Sequence, residues 1–363
     1  MPEPAKRVAI WRSAMLPASE TFVRNQADNL TRWQPVYVGA TKMDSVLARD
    51  TDRIVFPAPE DSRAFLRLRL TGSSPRLRLQ LAAVRPDLVH AHFGGDGWLV
   101  SGETKRLGVP LVVTLHGHDV TRQPQSSGAH GLRYRRNLRS VFDRADLLIA
   151  VSEVIRQKAI GWGADPAKVR VHHTGVPVPA SVPVAEKRWD VAFVGRFVAK
   201  KGADDLIAAL GPYKGLFIGD GPLLDEMRSR AGRAGVDATF TGALPASEVY
   251  RLLSESRVLA APSKTAADGD TEGLPTTIVE AAALGLPVVS TVHSGIPEAV
   301  RDGETGLLGP EGDREALAAN LRKLLGDDDL RATMGRAARA HAEASFDVAT
   351  QSRRLEDLYD ALR

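Results

Sequence analysis

Short apolar runs alternate with longer amphipathic stretches along this chain. An apolar run at residues 7–11 is followed by a helical pattern at 20–30 and by a second apolar run at 35–39. Later runs begin at residues 87, 110, 145 and 169, and each is apolar almost throughout. Continuous apolar runs of this length are typical of strands in a parallel sheet that is covered on both faces. The pattern therefore predicts an α/β fold built from alternating strands and helices.

The alternation is interrupted once, where residues 175–183 combine three prolines with small residues and lose all periodicity. Such a segment is typical of an extended linker. After it the strand–helix pattern starts again, and 363 residues suit two domains better than one core. We therefore predict two doubly wound domains, at residues 1–178 and 183–346, followed by a helix at 347–363.

The segment from Glu272 to Glu280 predicts a loop that enters a helix, with Thr276 or Thr277 as its cap and Gly285 as its end. Backbone N–H groups at a helix start lack partners and, with the helix dipole, can bind a diphosphate. The two carboxylates can accept hydrogen bonds from sugar hydroxyls and from a ribose, respectively. The alternative is an amphipathic helix whose two glutamates are simply solvated.

Several apolar runs in the second half end in glycine. The run at 191–195 is followed by Arg196 and Lys201, and the next run ends at Gly219. Because ligands of open α/β sheets bind outside the carboxyl ends of the strands, these loops are expected to converge. Arg196 can hold a phosphate in two hydrogen bonds and Lys201 can neutralise it, so the pair suits a pyrophosphate.

Five ordered motifs together resemble the nucleotide-binding half of family-4 retaining glycosyltransferases. They are Gly195-Arg196 with Lys201-Gly202, Gly219 to Pro222, Glu272 to Glu280, Gly295 to Glu298, and Asp302 to Gly306. The resemblance implies a GT-B fold, in which two Rossmann-like domains face each other across a cleft. It also implies that the last helix crosses back to the N-terminal, acceptor-side domain, while the C-terminal domain binds the nucleotide-sugar.

The function implied is transfer of a sugar, with retention, from a nucleotide-sugar donor to a hydroxyl of a saccharide, lipid-linked or small-metabolite acceptor. UDP is favoured over GDP as the carrier, and the chain looks similar to members that make bacterial exopolysaccharides or natural products. No metal or other cofactor is predicted. The residues predicted to bind the donor are Arg196, Lys201, Gly219, Gly273, Leu274, Pro275, Thr276 and Glu280.

Histidines cluster at strand ends in the N-terminal half. His116 and His118 lie in Thr-Leu-His-Gly-His-Asp, and His90 and His92 repeat the pattern one strand earlier. The residues alone leave two interpretations of these histidines. They form a metal site, or they are polar residues at strand ends whose hydrogen bonds are made within the protein. By the family resemblance, His116 contacts the donor sugar. The predicted catalytic residues are His116 and Glu272, and the predicted acceptor-side residues are Ser19, Glu20, His92 and His118.

The composition of the chain limits the location and the kinds of binding partner that we expect for this protein. The chain has no cysteine, no stretch long enough to cross a bilayer and no signal-like start, so we expect a cytoplasmic protein. Residues 1–181 contain 26 Lys and Arg against 16 Asp and Glu, a net charge of +10, whereas the rest contains 22 against 28, or −6. Basic, leucine-rich stretches at 63–85 and 133–139 predict either solvated helix faces or contact with an anionic membrane or phosphorylated acceptor. No nucleic-acid-binding module accompanies this charge, so nucleic acid is not a predicted partner.

Two rival functions remain at this stage. A sugar-nucleotide epimerase or a non-catalytic nucleotide-sugar-binding protein could use the same scaffold, because a fold does not determine a reaction. A dinucleotide-dependent dehydrogenase is disfavoured, since no Gly-x-Gly-x-x-Gly follows the first predicted strand.

Overall fold

The computed structural model describes residues 6–182 and 185–362, and the chain divides into two compact units. The first unit contains the described residues up to Gly175 and those from Val348 onward, and the second runs from Val176 to Asp347. The expected start of the second domain, at residue 183, lies outside the described residues.

The first unit is built on a seven-stranded sheet with the order β3-β2-β1-β4-β5-β6-β7, and all of its strand pairs are parallel. The strand order reverses between β1 and β4, so the loops after these two strands leave a crevice at the carboxyl edge of the sheet. The strands are β1 (Lys6–Met15), β2 (Trp33–Lys42), β3 (Arg53–Ile54), β4 (Leu88–His92), β5 (Leu111–Leu115), β6 (Leu147–Ala150) and β7 (Val169–Val171).

Helices connect these strands, and polar residues begin two of them. Ser74 accepts a hydrogen bond from the N–H of Leu77, and Ser152 accepts one from Ile155, which are N-cap interactions. The helices are α1 (Thr21–Asp28), α2 (Ser62–Thr71), α3 (Pro75–Val84), α4 (Gly94–Leu107), α5 (Arg122–Gln125), α6 (Gly128–Arg144) and α7 (Glu153–Gly161).

The second unit repeats the plan with a six-stranded parallel sheet in the order β10-β9-β8-β11-β12-β13. Its strands are β8 (Trp189–Val194), β9 (Gly215–Ile218), β10 (Ala238–Gly242), β11 (Ser256–Ala261), β12 (Val288–Thr291) and β13 (Gly306–Gly309). Its helices are α8 (Ala203–Ala209), α9 (Leu224–Ala234), α10 (Ala246–Ser254), α11 (Thr276–Ala283), α12 (Ile296–Ala299), α13 (Arg314–Leu325) and α14 (Asp328–Phe346).

The last helix, α15 (Val348–Asp360), belongs to the first unit. Its buried Glu356 accepts hydrogen bonds from the backbone N–H groups of Thr31, Arg32 and Trp33, just before β2. These bonds satisfy the carboxylate inside the protein and hold the helix against the sheet edge.

The predicted α/β architecture with parallel sheets is confirmed, and one local prediction is wrong. Neither Thr276 nor Thr277 caps α11: Pro275 takes the N-cap position and Thr276 is already the first helical residue. Pro275 makes no side-chain hydrogen bond that caps the helix. The threonine hydroxyls, which were expected to accept bonds from the first N–H groups, do not do so.

Candidate functional site

In the second unit, a buried ion pair lies in front of α11. Glu272 is buried, and its Oε1 lies 3.0 Å from Nζ of Lys201 without a well-directed hydrogen bond. Burial alone would raise the pKa of Glu272, but the charges of Lys201 and Lys200 outweigh it and hold that pKa below its ordinary value. Glu272 is therefore an anion at neutral pH, and its oxygens are available as hydrogen-bond acceptors.

Glu280, one turn into α11, is electrostatically different. Burial raises its pKa to about 7, and only the charge of Lys201 opposes that shift. Nearby, the buried hydroxyl of Tyr250 has no hydrogen-bond partner among the described residues, and burial, together with the charge of Glu280, raises the pKa of Tyr250. Lys201 thus influences both carboxylates that the sequence singled out.

The start of α11 presents unpaired backbone donors. Within residues 6–182 and 185–362, the N–H groups of Leu274, Thr276 and Thr277 donate to no protein group. Pro275 has no N–H, so the expected row of donors has a gap at that position. Helix starts of this kind bind anions because the unpaired N–H groups and the helix dipole act together.

Arg196 and Gly219 lie at the ends of β8 and β9 and play different parts. The Arg196 side chain is exposed and makes no ion pair or hydrogen bond with the residues that the structure describes, so it is available to a ligand. Gly219 has φ of +136°, and a Cβ there would meet the carbonyl oxygen of Gly195 at 2.0 Å. Its N–H already donates to the carbonyl of Gly242. Gly219 therefore permits close packing of two loops, and its own N–H is committed to the protein.

Two residues that sequence reasoning missed support the Glu272 loop. The Glu272 N–H donates to Nε2 of buried His293 at 3.1 Å, so Nδ1 carries the ring proton and donates to Glu311 at 2.6 Å. Ser294, with φ of +48°, donates its hydroxyl to the Glu272 carbonyl. Both polar backbone groups of Glu272 are thus held from the segment after β12. A histidine just before Ser-Gly was the only sequence signal.

Replacing His293 with Ala is expected to lower kcat for the sugar transfer that the family resemblance implies by about tenfold, without unfolding the protein, because the Glu272 backbone loses one of its two supports. His293→Gln should recover part of the loss, since its amide oxygen can accept the same N–H bond. Steady-state kinetics with a nucleotide-sugar would measure both variants.

His341→Ala, in α14 of the same unit, is the matched control and should keep the original rate. Equal rates for His293→Ala and His293→Gln would contradict a positioning role.

In the first unit, three histidines stack at the carboxyl ends of β4 and β5. The ring centroids of His90 and His92 are 4.5 Å apart, and those of His92 and His116 are 5.3 Å apart. Nδ1 of His92 lies 3.1 Å from Nε2 of His116, while His90 is hydrogen-bonded to Tyr359 and Thr114. Burial lowers the pKa of His90 and of His116 to about 3, so both rings are neutral at pH 7.

The loop that carries His116 is clamped by Asp119. One oxygen of this buried carboxylate accepts the N–H groups of His116 and Gly117, and the other accepts that of Gly94. Phe93, with a positive φ of 72°, packs its ring 4.5 Å from that of His116. Asp119 therefore ties the loops after β4 and β5 together.

The predicted acceptor-side residues fall into different surroundings. Glu20 forms two hydrogen bonds to buried Arg12, at 2.5 and 2.7 Å, and Arg12 also pairs with Asp96. Ser19 is exposed in the preceding turn. Glu20 and His118 line one cavity of about 270 Å³ with Arg12, whereas His92 lies in the histidine stack. The structure therefore places Glu20 and His118 at the same cavity, and the Glu20 carboxylate is already paired with Arg12.

Two features are absent from the part of the chain that the structure describes. No group of three or more His, Cys, Asp or Glu side chains there is arranged to hold a metal ion. Among the described helices, none combines the length and the apolar character that a membrane span requires.

Family comparisons bear on both units. The family described as Glycosyltransferase Family 4 matches residues 19–178, and the one described as Glycosyl transferases group 1 matches residues 178–341. The amylovoran biosynthesis glycosyltransferase AmsK of Erwinia amylovora is 32% identical over 292 residues, which cover 76% of this chain and 70% of that protein. The chain belongs to the family-4 glycosyltransferases.

Two other similar proteins match nearly the whole chain. A GDP-mannose-dependent phosphatidylinositol monomannoside mannosyltransferase of Mycolicibacterium smegmatis is 28% identical, covering 95% of this chain and 94% of that protein. The structure of HepE from Anabaena in complex with UDP-glucose superposes with a TM-score of 0.78 at 20% identity, covering 98% and 99% of the two chains. The predicted GT-B fold class and the family resemblance are confirmed.

Proposed function

We propose that this glycosyltransferase moves a sugar from a nucleotide-sugar, with UDP preferred over GDP, to an acceptor hydroxyl with retention at the anomeric carbon. The observation that carries the proposal is the buried Lys201–Glu272 pair in front of α11, whose first N–H groups have no partner among the described residues. HepE, solved with UDP-glucose, supports a UDP-linked donor. The relation to AmsK supports a role in polysaccharide assembly.

The proposed chemistry uses the charges of the second unit. Breaking the bond to the diphosphate builds positive charge on the anomeric carbon and negative charge on the leaving group. Arg196, Lys201 and the N–H groups at the start of α11 would stabilise the leaving diphosphate, and no metal is invoked for this step. Glu272 would accept hydrogen bonds from sugar hydroxyls and Glu280 from the ribose. His116, in the first unit, is the second proposed sugar contact.

Neither Glu272 nor His116 is assigned as a covalent nucleophile. The carboxylate of Glu272 is held by Lys201, and the neutral ring of His116 is held by His92. Under the proposal the acceptor hydroxyl attacks on the face from which the diphosphate leaves, so one bond to the anomeric carbon breaks as the other forms. The acceptor proton goes to the departing phosphate oxygen.

The test is incubation with radiolabelled UDP- and GDP-sugars and a pool of saccharide and lipid-linked acceptors. We expect a labelled glycoside whose anomeric configuration, read by NMR, equals that of the donor. An altered sugar nucleotide without glycoside would identify an epimerase, and bound but unchanged donor would identify a binding protein. An inverted product would overturn retention.

Arg196→Ala is expected to weaken binding of the free nucleoside diphosphate about tenfold or more, because an exposed guanidinium with no partner among the described residues is lost from the proposed phosphate site. Isothermal titration calorimetry would measure the dissociation constant. Arg233→Ala, which removes another exposed arginine at the end of α9, is the control and should bind like the unchanged protein. Equal affinities for all three proteins would remove Arg196 from the phosphate site.

Peripheral contact with an anionic membrane is a further part of this proposal. Leu66 and Leu70 in α2 and Leu132 in α6 are each more than half exposed, and arginines flank them in sequence. Exposed leucines beside cations favour the surface of an anionic bilayer. Flotation with vesicles, included in the experiment below, tests this contact.

A further inference from the structure

We propose that a cavity in the first unit binds the phosphate group of a phosphate-bearing acceptor, an inference that rests on the proposed transferase function. The cavity has a volume of about 400 Å³. Ser13 and Ala14 at the end of β1, Thr41 at the end of β2, and Gly94 and Gly95 after β4 line one side of it. It therefore lies at the carboxyl edge of the sheet, where the strand order reverses and α/β sheets bind ligands.

The other side of the cavity brings together the two basic stretches of the sequence. Arg69 from α2 and Arg133 from α6 line it together with His130. Nη2 of Arg133 donates to the carbonyl of Arg69 at 3.3 Å, so the two helices meet at this point. In the part of the chain that the structure describes, no acid pairs with Arg69 or Arg133, and the cavity has two uncompensated cations.

Among the described residues, Asp96 is the one acid that lines the cavity, and its charge is already neutralised. Its carboxylate pairs with Arg12 and accepts the N–H of Ser13. An anionic group entering the cavity would thus meet Arg69 and Arg133 without competition from a free carboxylate. Guanidinium groups are well suited to phosphate, which they can hold through paired hydrogen bonds.

Asn137 and Trp98 also line the cavity, and each carries a buried polar atom without a partner among the described residues. Oδ1 of Asn137 can accept a hydrogen bond and Nε1 of Trp98 can donate one, yet neither has a partner among the described residues. Asn137 is nine-tenths buried. Because unsatisfied buried polar groups are costly, these two atoms indicate a polar ligand.

Tight packing fixes Arg69 relative to the cavity. A Cβ at Gly72, which ends α2, would lie 2.8 Å from the Trp98 ring, and one at Gly102 would lie 2.7 Å from the Gly72 carbonyl oxygen. Glycine at both positions lets the end of α2 press against α4. Arg69 and Trp98 are therefore held together beside the cavity, which favours a preorganised site.

The experiment uses the full chain with its nucleotide site saturated by whichever nucleoside diphosphate calorimetry shows to bind. Glucose 1-phosphate is then titrated, with neutral glucose as the comparison. We expect glucose 1-phosphate to bind at least about tenfold more tightly than glucose, and Arg69→Gln with Arg133→Gln to lose about tenfold or more of that affinity. Arg136→Gln with Arg139→Gln removes the same charge from outside the cavity and should bind like the unchanged protein.

Vesicles of phosphatidylglycerol, compared with phosphatidylcholine, form the second arm and separate a lipid phosphate from a soluble one. Loss of flotation in the cavity variant but not in the control variant would identify a lipid phosphate as the ligand. Equal affinity for glucose 1-phosphate and glucose, or equal losses in both double variants, would overturn the cavity as a phosphate site. Failure of the unchanged protein to bind any nucleoside diphosphate would instead count against the proposed donor function.

Discussion

Glu272→Gln is expected to lower the rate of sugar transfer about 100-fold, the size of effect seen when one preorganised electrostatic contact to a transition state is removed. The amide has nearly the same shape but cannot balance the charge of Lys201, 3.0 Å away, and is a weaker acceptor for sugar hydroxyls. The loop should stay in place, because His293 and Ser294 hold the backbone N–H and carbonyl of residue 272.

Initial rates with a labelled nucleotide-sugar would measure this loss, and circular dichroism would check the fold. Glu248→Gln makes the same change at a half-exposed side chain in α10, which among the described residues forms an ion pair only with Arg251, and it should leave the rate unchanged. A Glu272→Gln enzyme with the original kcat and KM would remove Glu272 from the proposed chemistry.

Arg12→Met is expected to lower the free energy of unfolding of the first unit by about 3 to 5 kcal/mol, the usual cost of removing one partner from a buried charge cluster. Arg12 is the shared partner of Glu20 and Asp96, and all three side chains are about nine-tenths buried. Without the guanidinium, two carboxylates would remain in the interior with no cation between them. Chemical denaturation followed by the first unit's fluorescence would measure the change.

The pH dependence gives a second readout. Burial already raises the pKa of Glu20 above its ordinary value even with Arg12 present. An acid whose folded pKa exceeds its unfolded pKa destabilises the folded state as pH rises, so the Arg12→Met deficit should be smaller near pH 5 than near pH 8. Adding Glu20→Gln and Asp96→Asn to Arg12→Met should restore most of the stability.

Arg49→Met is the control, because it breaks an exposed ion pair with Asp28 and should cost less than about 1 kcal/mol of unfolding free energy. A similar loss in Arg12→Met and Arg49→Met would contradict the role of burial.

Much of the fold could be predicted from local patterns. The apolar runs became strands close to their predicted positions, as at β8 (Trp189–Val194), and the helical pattern at 20–30 became α1 (Thr21–Asp28). These features depend on neighbouring residues, because strand and helix periodicities are properties of short segments. The cap of α11 was predicted wrongly because Pro275, with its fixed φ, took the position that a threonine hydroxyl was expected to fill.

The partners of the charged residues could not be predicted in the same way. Lys201 and Glu272 are 71 residues apart, and His293 reaches Glu272 only because the segment after β12 folds back onto the loop before α11. Glu20 was predicted as an acceptor-side residue, yet the structure places its carboxylate on Arg12, eight residues earlier. Residue type and order showed which groups could bind a nucleotide-sugar, but not which of them would already be bonded to other groups of the protein.

The amino-acid order by itself determined the α/β class, the succession of strands and helices, the family resemblance and the segments that carry charge. Tertiary structure decided that Lys201 faces Glu272, that Arg69 and Arg133 meet at one cavity, and that the Gly219 N–H is already bonded. The physical reason is that the energy of a charge or hydrogen bond changes steeply over a few ångströms and with burial. The distances between these groups and their burial are both set by packing between segments that lie far apart in the chain.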